Sequence, residues 1–206
     1  MNFNESLEEL RKVSKKRKFD QTVDLIINLK DFDPRRDSLN TFAILPHLSV
    51  KKKVAAFLEK PSSHAYSITK GDLEKIAQTD LKKLIREYDF FIANAKLMPF
   101  IAQKFGKVLG IAGKMPDPKM GCVLMQENEN AIDDIIEKLS KMVKIKAKEA
   151  SLKIPVGKES MQNKEIAENA QVAIKTVTEA LPKKELNIRS VMLKFTMSKP
   201  IKIKLK

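Results

Sequence analysis

The chain has 206 residues and carries 40 Lys and Arg against 26 Asp and Glu, a formal charge of +14. At roughly 100–200 residues per domain that length makes one large domain or two small ones, and 43% apolar residues suffice for buried cores, which excludes a disordered basic tail. Such a charge draws polyanions through Coulomb steering and counterion release. No run of about 18 apolar residues occurs, and the opening MNFNESLEEL has acids where a secretory leader has bases. A cytoplasmic protein with no membrane partner is therefore expected. Cys122 is the one cysteine and His47 and His64 are the two histidines, so neither an internal disulfide nor a closed zinc site of Cys and His can be assembled.

In chain order, residues 4–17 read as an amphipathic helix with Asn4 as N-cap and Leu7, Leu10 and Val13 on one stripe. The period then changes to two. In 22–30, Val23, Leu25, Ile27 and Leu29 alternate with Asp24, Asn28 and Lys30, a half-buried strand. Asp33-Pro34-Arg35-Arg36 reads as a turn, and Phe42–Leu45 as a second strand closed by Pro46. VAAFL from Val54 and FFIA from Phe90 are continuous apolar runs of the kind found in parallel strands buried on both faces. Helical patterns accompany them at 72–77, 81–88, 98–105 and 131–142, so the middle reads as a βαβ-type unit. Strand signals return at 143–148 and 152–156. A long helix follows at 163–181, with Ile166, Ala170, Ile174 and Val177 inward and Asn163 as its cap. Strands at 188–195 and 201–205 close the chain.

The economical architecture is an α+β domain built from both termini, residues 1–53 and 144–206, interrupted by an inserted three-layer α/β Rossmann-like domain at 54–143. Two chain crossings would act as a paired hinge. Basic blocks sit at Lys12–Lys18, Lys51–Lys53, Lys144–Lys148 and in the closing IKIKLK. One such run is ordinarily a solvated face, whereas several that converge in space would form a binding surface.

Catalytic chemistry is hard to find. A phosphate loop needs four residues between its glycines and then Lys-Ser or Lys-Thr; here two residues separate Gly110 from Gly113, and Met115 follows Lys114. Cys122 reads as a buried inert thiol, neither histidine stands in a triad motif, and Asp133-Asp134 fits a solvated helix face. The sequence points to no enzyme, no metal and no cofactor. With no Trp and 6% aromatic residues, stacking on single-stranded bases is a poor fit, and contact with the backbone, 2′-hydroxyls and shape of folded RNA is the better one. Phe19, directly after Lys16-Arg17-Lys18, has two readings: an RNA contact, or a core anchor between helix and strand.

An ordered set of segments resembles one family over nearly the whole chain. They are KFDQTVDLIINL (18–29), DPRR (33–36), LPH (45–47), DFFIANAKLMPFIAQKFGKVLG (89–110), GKMPDP (113–118), PVGKESM (155–161), AEN (167–169) and FTMSKPIKI (195–203). The chain is similar to the L-one family of ribosomal proteins, which form the mobile lateral stalk of the large subunit, and is nearer its archaeal and eukaryotic branch. The resemblance implies a split α+β domain with a Rossmann-like insertion, residence in the cytoplasmic ribosome as a monomer, binding of folded large-subunit rRNA, and help in releasing deacylated tRNA from the exit site. An alternative role it implies is repression of the protein's own messenger RNA through an rRNA-like structure.

By matching position, the resemblance implies an RNA surface of Lys18, Phe19, Asp20, Thr22, Lys158, Ser160, Thr196, Met197 and Ser198. Lys18 and Lys158 would meet phosphates, Phe19 would fix the apolar edge, and Met197 would pack on a sugar or base. Thr22, Ser160 and Thr196 would offer hydroxyls to 2′-OH and phosphate groups. The chain departs from the family pattern where Ser198-Lys199 replaces Gly-Pro, where Leu48 replaces Gly, where Ile111-Ala112 replaces Pro-Arg, and where 60–69 is too short for a helix. A glycine at 198 would permit a close RNA approach or a special backbone angle.

Overall fold

The computed structural model describes residues 3–15, 17–34, 36–37, 39–48, 52–76, 78–147 and 149–203. Lys16, Arg35, Lys51, Lys148, Lys204 and Lys206, which belong to the basic blocks and the DPRR turn, lie outside the described residues. The elements in chain order are α1 (Phe3–Val13), β1 (Thr22–Leu29), β2 (Asn40–Ile44), β3 (Val54–Phe57), β4 (Tyr66–Ile68), α2 (Lys70–Lys75), α3 (Gln78–Glu87), β5 (Phe90–Asn94), α4 (Met98–Ala112), β6 (Val123–Leu124), α5 (Glu129–Lys141), β7 (Met142–Lys146), β8 (Ser151–Lys158), α6 (Asn163–Ala180), β9 (Ile188–Phe195) and β10 (Ile201–Ile203). The backbone forms two compact units, Met1–Ser49 with Lys141–Lys206, and Val50–Ser140. These limits differ by three or four residues from the limits read in the sequence. Met142 and Val143 pair with Ile44 and Ala43 of β2, while Lys53 bonds Asp89 of the middle unit through both its N–H and its carbonyl.

The unit holding both termini contains a four-stranded antiparallel sheet, ordered β10-β9-β1-β8, and the separate antiparallel pair β2-β7. Period two in β1 sends Val23, Leu25, Ile27 and Leu29 into the core. They meet Leu152, Ile154 and Val156 of β8, Val191, Leu193 and Phe195 of β9, Ile203 of β10, Phe3, Leu7 and Leu10 of α1, and the buried side of α6. All of that packing lies on one face of the sheet. Val13, expected on the apolar stripe of α1, is instead 66% exposed, because the helix ends there. Asn4 lies in the first turn of α1 and is not its N-cap. Gln162 is the N-cap of α6, its N–H donating to the Glu165 carboxylate at 3.1 Å, a capping-box contact. Asn163, expected to cap, accepts from Arg11 Nε at 2.8 Å.

Three of the family-like segments meet in the scaffold. A register shift between Val23 and Asp24 marks a bulge at Pro155-Val156-Gly157, which leaves the Val156 carbonyl to accept from Asn169 Nδ2 at 2.8 Å. The Oδ1 of buried Asn169 accepts the His47 N–H at 3.0 Å, and the His47 ring lies 2.6 Å from Glu168. PVG, AEN and LPH thus hold one another and set the path of the chain into the turn after β8.

The middle unit has a parallel sheet ordered β4-β3-β5-β6. Ala55, Phe57, Phe91 and Ala93 face a core shared with Leu73 of α2, Leu81 of α3 and Ile101, Phe105 and Leu109 of α4. Val54, Ala56 and Ile92, at the alternate positions, are buried too, as are Ile132, Ile135 and Leu139 of α5. Helix α4 runs seven residues past the expected 105 and stops at Gly113, whose φ of 65° ends it in a left-handed cap. The 60–69 stretch holds β4 and no helix.

Candidate nucleic-acid interface

Strand β1 is antiparallel to both β8 and β9, so its first residue lies beside the last residues of both: Thr22 pairs with Lys158 and Val23 with Phe195. Lys18, Phe19, Asp20 and Thr22 therefore meet Lys158, Ser160, Thr196, Met197 and Ser198 at one end of the sheet. All nine residues singled out in the sequence gather there. Phe19 is 53% exposed and Met197 60% exposed, so Phe19 is no core anchor, and two large apolar side chains stand in solvent beside exposed Lys18 and Lys158.

The loops are tied from behind. Asp20 accepts the Ser160 N–H at 3.0 Å through one carboxylate oxygen and the Ser160 hydroxyl at 2.9 Å through the other. The Thr196 hydroxyl accepts the Thr22 N–H at 3.1 Å and lies 3.3 Å from the Thr22 carbonyl, which also accepts the Thr196 N–H at 3.1 Å. The hydroxyls of Ser160 and Thr196 are thus engaged inside the protein, which makes Asp20, Ser160 and Thr196 positioning residues first. Lys158 N–H donates to Met161 Sδ at 3.3 Å, and a Cβ on Gly157 would lie 3.1 Å from the same sulfur. The turn is packed closely enough to favour glycine there.

Position 198, where the family pattern has glycine, is occupied without strain. Among the described residues the only non-glycine residues with positive φ are Asp31 and Lys184, so position 198 needs no left-handed backbone. The Ser198 hydroxyl accepts the Phe195 N–H at 2.8 Å, and the Ser198 N–H donates to the Phe195 carbonyl at 3.1 Å. Serine here closes a turn with its side chain.

Gln21 is not among the residues singled out in the sequence, yet it is the hub of the site. It is 1% exposed; its Nε2 donates to Glu159 at 3.1 Å, its Oε1 accepts the Met197 N–H at 3.2 Å, and its carbonyl accepts the Glu159 N–H at 2.8 Å. One buried amide joins all three loops. The signal is its parity, since Gln21 continues the inward-facing series of Val23, Leu25 and Ile27.

In the middle unit the polar groups at the sheet end are bonded to one another. At the carboxyl ends of β3 and β5 the Glu127 carboxylate accepts from Glu59 N–H at 2.6 Å, Lys60 N–H at 3.1 Å and Asn94 Nδ2 at 2.7 Å. Burial works against this carboxylate, but the three hydrogen bonds outweigh it and hold the group below its usual range. Cys122 is buried, and burial pushes its thiol up to about 11, so it stays protonated and inert at neutral pH. His64 pairs with Asp133 at 2.7 Å. Among the described residues no group of three or more His, Cys, Asp or Glu is placed to hold a metal, and no helix is long and apolar enough to cross a membrane.

The described residues combine mixed α and β structure with a loop end that carries lysines, small hydroxyls and exposed apolar side chains. The model of the ribosomal protein L1p/L10e family matches residues 10–199. The large ribosomal subunit protein uL1 of Nanoarchaeum equitans is 34% identical over 210 residues, which cover 96% of this chain and 99% of that protein. Its counterpart in Pyrococcus abyssi is 36% identical over 97% of this chain and 94% of its own, and that of Methanothermococcus thermolithotrophicus is 33% identical over 98% and 97%. The chain belongs to this family, as an archaeal-type member, and the family is structural and not enzymatic.

Proposed function

We propose that this chain is a structural protein of the large ribosomal subunit in the cytoplasm, and that the loop end of its antiparallel sheet binds folded large-subunit rRNA at the mobile lateral stalk. The observation that carries this reading is the convergence of 18–22, 158–160 and 196–198 on one buried amide, Gln21. Lys18 and Lys158 take phosphates, and Phe19 and Met197 pack on exposed sugar or base faces. The backbone pairing of Thr22 with Thr196 and the Asp20–Ser160 clasp fix the spacing of these groups before RNA arrives, so little ordering entropy is lost on binding. Neither a metal nor a cofactor is needed for such contacts.

In this reading the protein moves with the stalk and assists the departure of deacylated tRNA from the exit site. A messenger carrying an rRNA-like structure would meet the same residues, so repression of the chain's own messenger is the second role; sucrose-gradient fractionation separates a subunit-bound protein from a free repressor. The test of the site is the double variant Thr196→Ala/Met197→Ala. It should weaken binding to a stalk-base rRNA fragment by about 10- to 100-fold, the scale set by one hydrogen bond and one packed apolar side chain, and weaken a scrambled duplex of equal length far less. Equal loss on both RNAs would contradict the assignment.

A further inference from the structure

The turn after β8 is held from the sheet side by Asp20 and Gln21. It is also held from the helix side, by a residue outside the candidate interface. Arg11, half-buried in the last turn of α1, donates from Nε to Asn163 Oδ1 and from Nη2 to the Met161 carbonyl, each at 2.8 Å. Met161 passes this grip on to Lys158: its N–H donates to the Lys158 carbonyl at 3.1 Å, and its sulfur accepts the Lys158 N–H at 3.3 Å. A planar guanidinium presents its N–H groups as a rigid fork to two such oxygens, whereas a lysine ammonium is a point charge on a flexible stem. Helix polarity does not explain the contact. Asn163 is the first residue of α6, and a helix N-terminus carries partial positive charge that favours anions over a guanidinium. What the cation holds is the turn.

The two grips lie at opposite ends of one stretch of chain. Arg11 bonds Met161 and Asn163, while Asp20 and Gln21 bond Ser160 and Glu159, so the segment 11–21 is clipped at both ends to the short turn 159–163. Lys15, Arg17, Lys18 and Phe19 lie between the clips and are exposed. Fastening both ends of a segment removes freedom from what lies between them. We propose that Arg11 is a positioning residue for the candidate RNA interface: its fork closes the 11–21 segment onto the turn after β8, and so sets Lys18 and Phe19 against Lys158 before RNA arrives. Arg11 itself touches no RNA. The proposal rests on the loop-end reading of the site and adds to it a fastening on the helix side, made by a residue that is not a contact residue.

The experiment compares the natural full chain with two Arg11 variants and one control. Arg11→Met keeps the apolar stem and removes both fork and charge, whereas Arg11→Lys keeps the charge and removes only the fork. Val177→Ala, in the buried stripe of α6 near its far end, lowers stability without touching the turn. Each chain is followed by thermal unfolding, by amide hydrogen exchange, and by affinity for a stalk-base rRNA fragment and a same-length scrambled duplex. Both Arg11 variants should speed exchange of the Lys158, Glu159 and Ser160 amides about tenfold, while those of Leu25 and Leu193 in the sheet change less than about twofold. Both should weaken binding of the stalk fragment about fivefold, the scale of one net hydrogen bond, and of the scrambled duplex less than about twofold. Val177→Ala should leave the ratio of the two affinities unchanged. A natural ratio in Arg11→Lys would show that charge acts and not the fork, and would overturn the proposal. Unchanged exchange at 158–160, or an equal fall of the ratio in Val177→Ala, would overturn it too. These outcomes leave the natural chain still preferring the stalk fragment; equal affinity of the natural chain for the two RNAs would instead sink the loop-end reading, and the proposal with it.

Discussion

The two units close the ends of their sheets in opposite ways. In the middle unit the crevice at the carboxyl ends of β3 and β5, where doubly wound sheets commonly seat a ligand, is filled by the chain's own Glu127, which uses the donors of Glu59, Lys60 and Asn94. In the terminal unit the hydrogen bonds run behind the loops, through Gln21, Asp20 and Thr196, and leave Lys18, Phe19, Lys158 and Met197 facing solvent. Internal hydrogen bonding takes up the polar groups at one sheet end and, in the proposed reading, holds the contact groups outward at the other. Position of the polar groups relative to the surface decides the outcome, more than their number.

Variants that undo each arrangement sharpen the contrast. The largest effect is expected from Gln21→Ala, which strips the partner from the Met197 N–H and from Glu159; a donor left unpaired away from water costs about 1–3 kcal/mol, and denaturant unfolding should register that loss. Stalk-RNA affinity should fall about tenfold at the same time, an amount worth about 1.4 kcal/mol. Glu127→Ala should cost less, under about 1 kcal/mol of stability, because the Glu59 and Lys60 donors are exposed and water takes the place of the carboxylate, and it should leave RNA affinity unchanged, because those donors do not belong to the candidate interface. Its pH dependence has a defined sign. The folded-state carboxyl lies below its unfolded value, so its support is fully present above the ordinary Glu range and is lost as pH falls through the folded value; the gap between wild type and Glu127→Ala, read by thermal melts, should narrow in acid. The smallest effect belongs to Ser198→Gly. Its φ is ordinary and its hydroxyl closes a turn, so RNA affinity should change less than threefold, and a gain of tenfold would show that the glycine carries a contact role.

Legibility in the sequence follows the length and periodicity of each element. Strands β1 and β9 run eight residues each with period two, and α6 carries a clear inward stripe, so all three are readable within a residue or so. Strands β4 and β6 have three and two residues, too few for any period to show, and their pairing depends on neighbours distant in sequence. Helix α4 extends beyond its sequence reading: Gly106 and Gly110 weaken the helical pattern there, and the structure carries the helix through them because buried Leu109 anchors that last turn. At the site, Lys18, Phe19 and Met197 are legible as a set through resemblance, since nothing in local pattern separates a contact residue from a solvated one. Gln21 escapes because a buried amide looks like any polar residue ahead of a strand, and its role exists only once three loops close around it.

Specific recognition of folded RNA by the loop end of the sheet is the central claim. Its most direct test is the affinity of the purified chain for a stalk-base rRNA fragment and for a same-length scrambled duplex, measured side by side across a salt series. Tighter binding of the stalk fragment at every salt concentration, with both affinities falling as salt rises by about 0.7–0.9 in log–log slope per phosphate engaged, is the expected result. Equal affinity for the two RNAs would contradict the claim and leave a polycation without a cognate site.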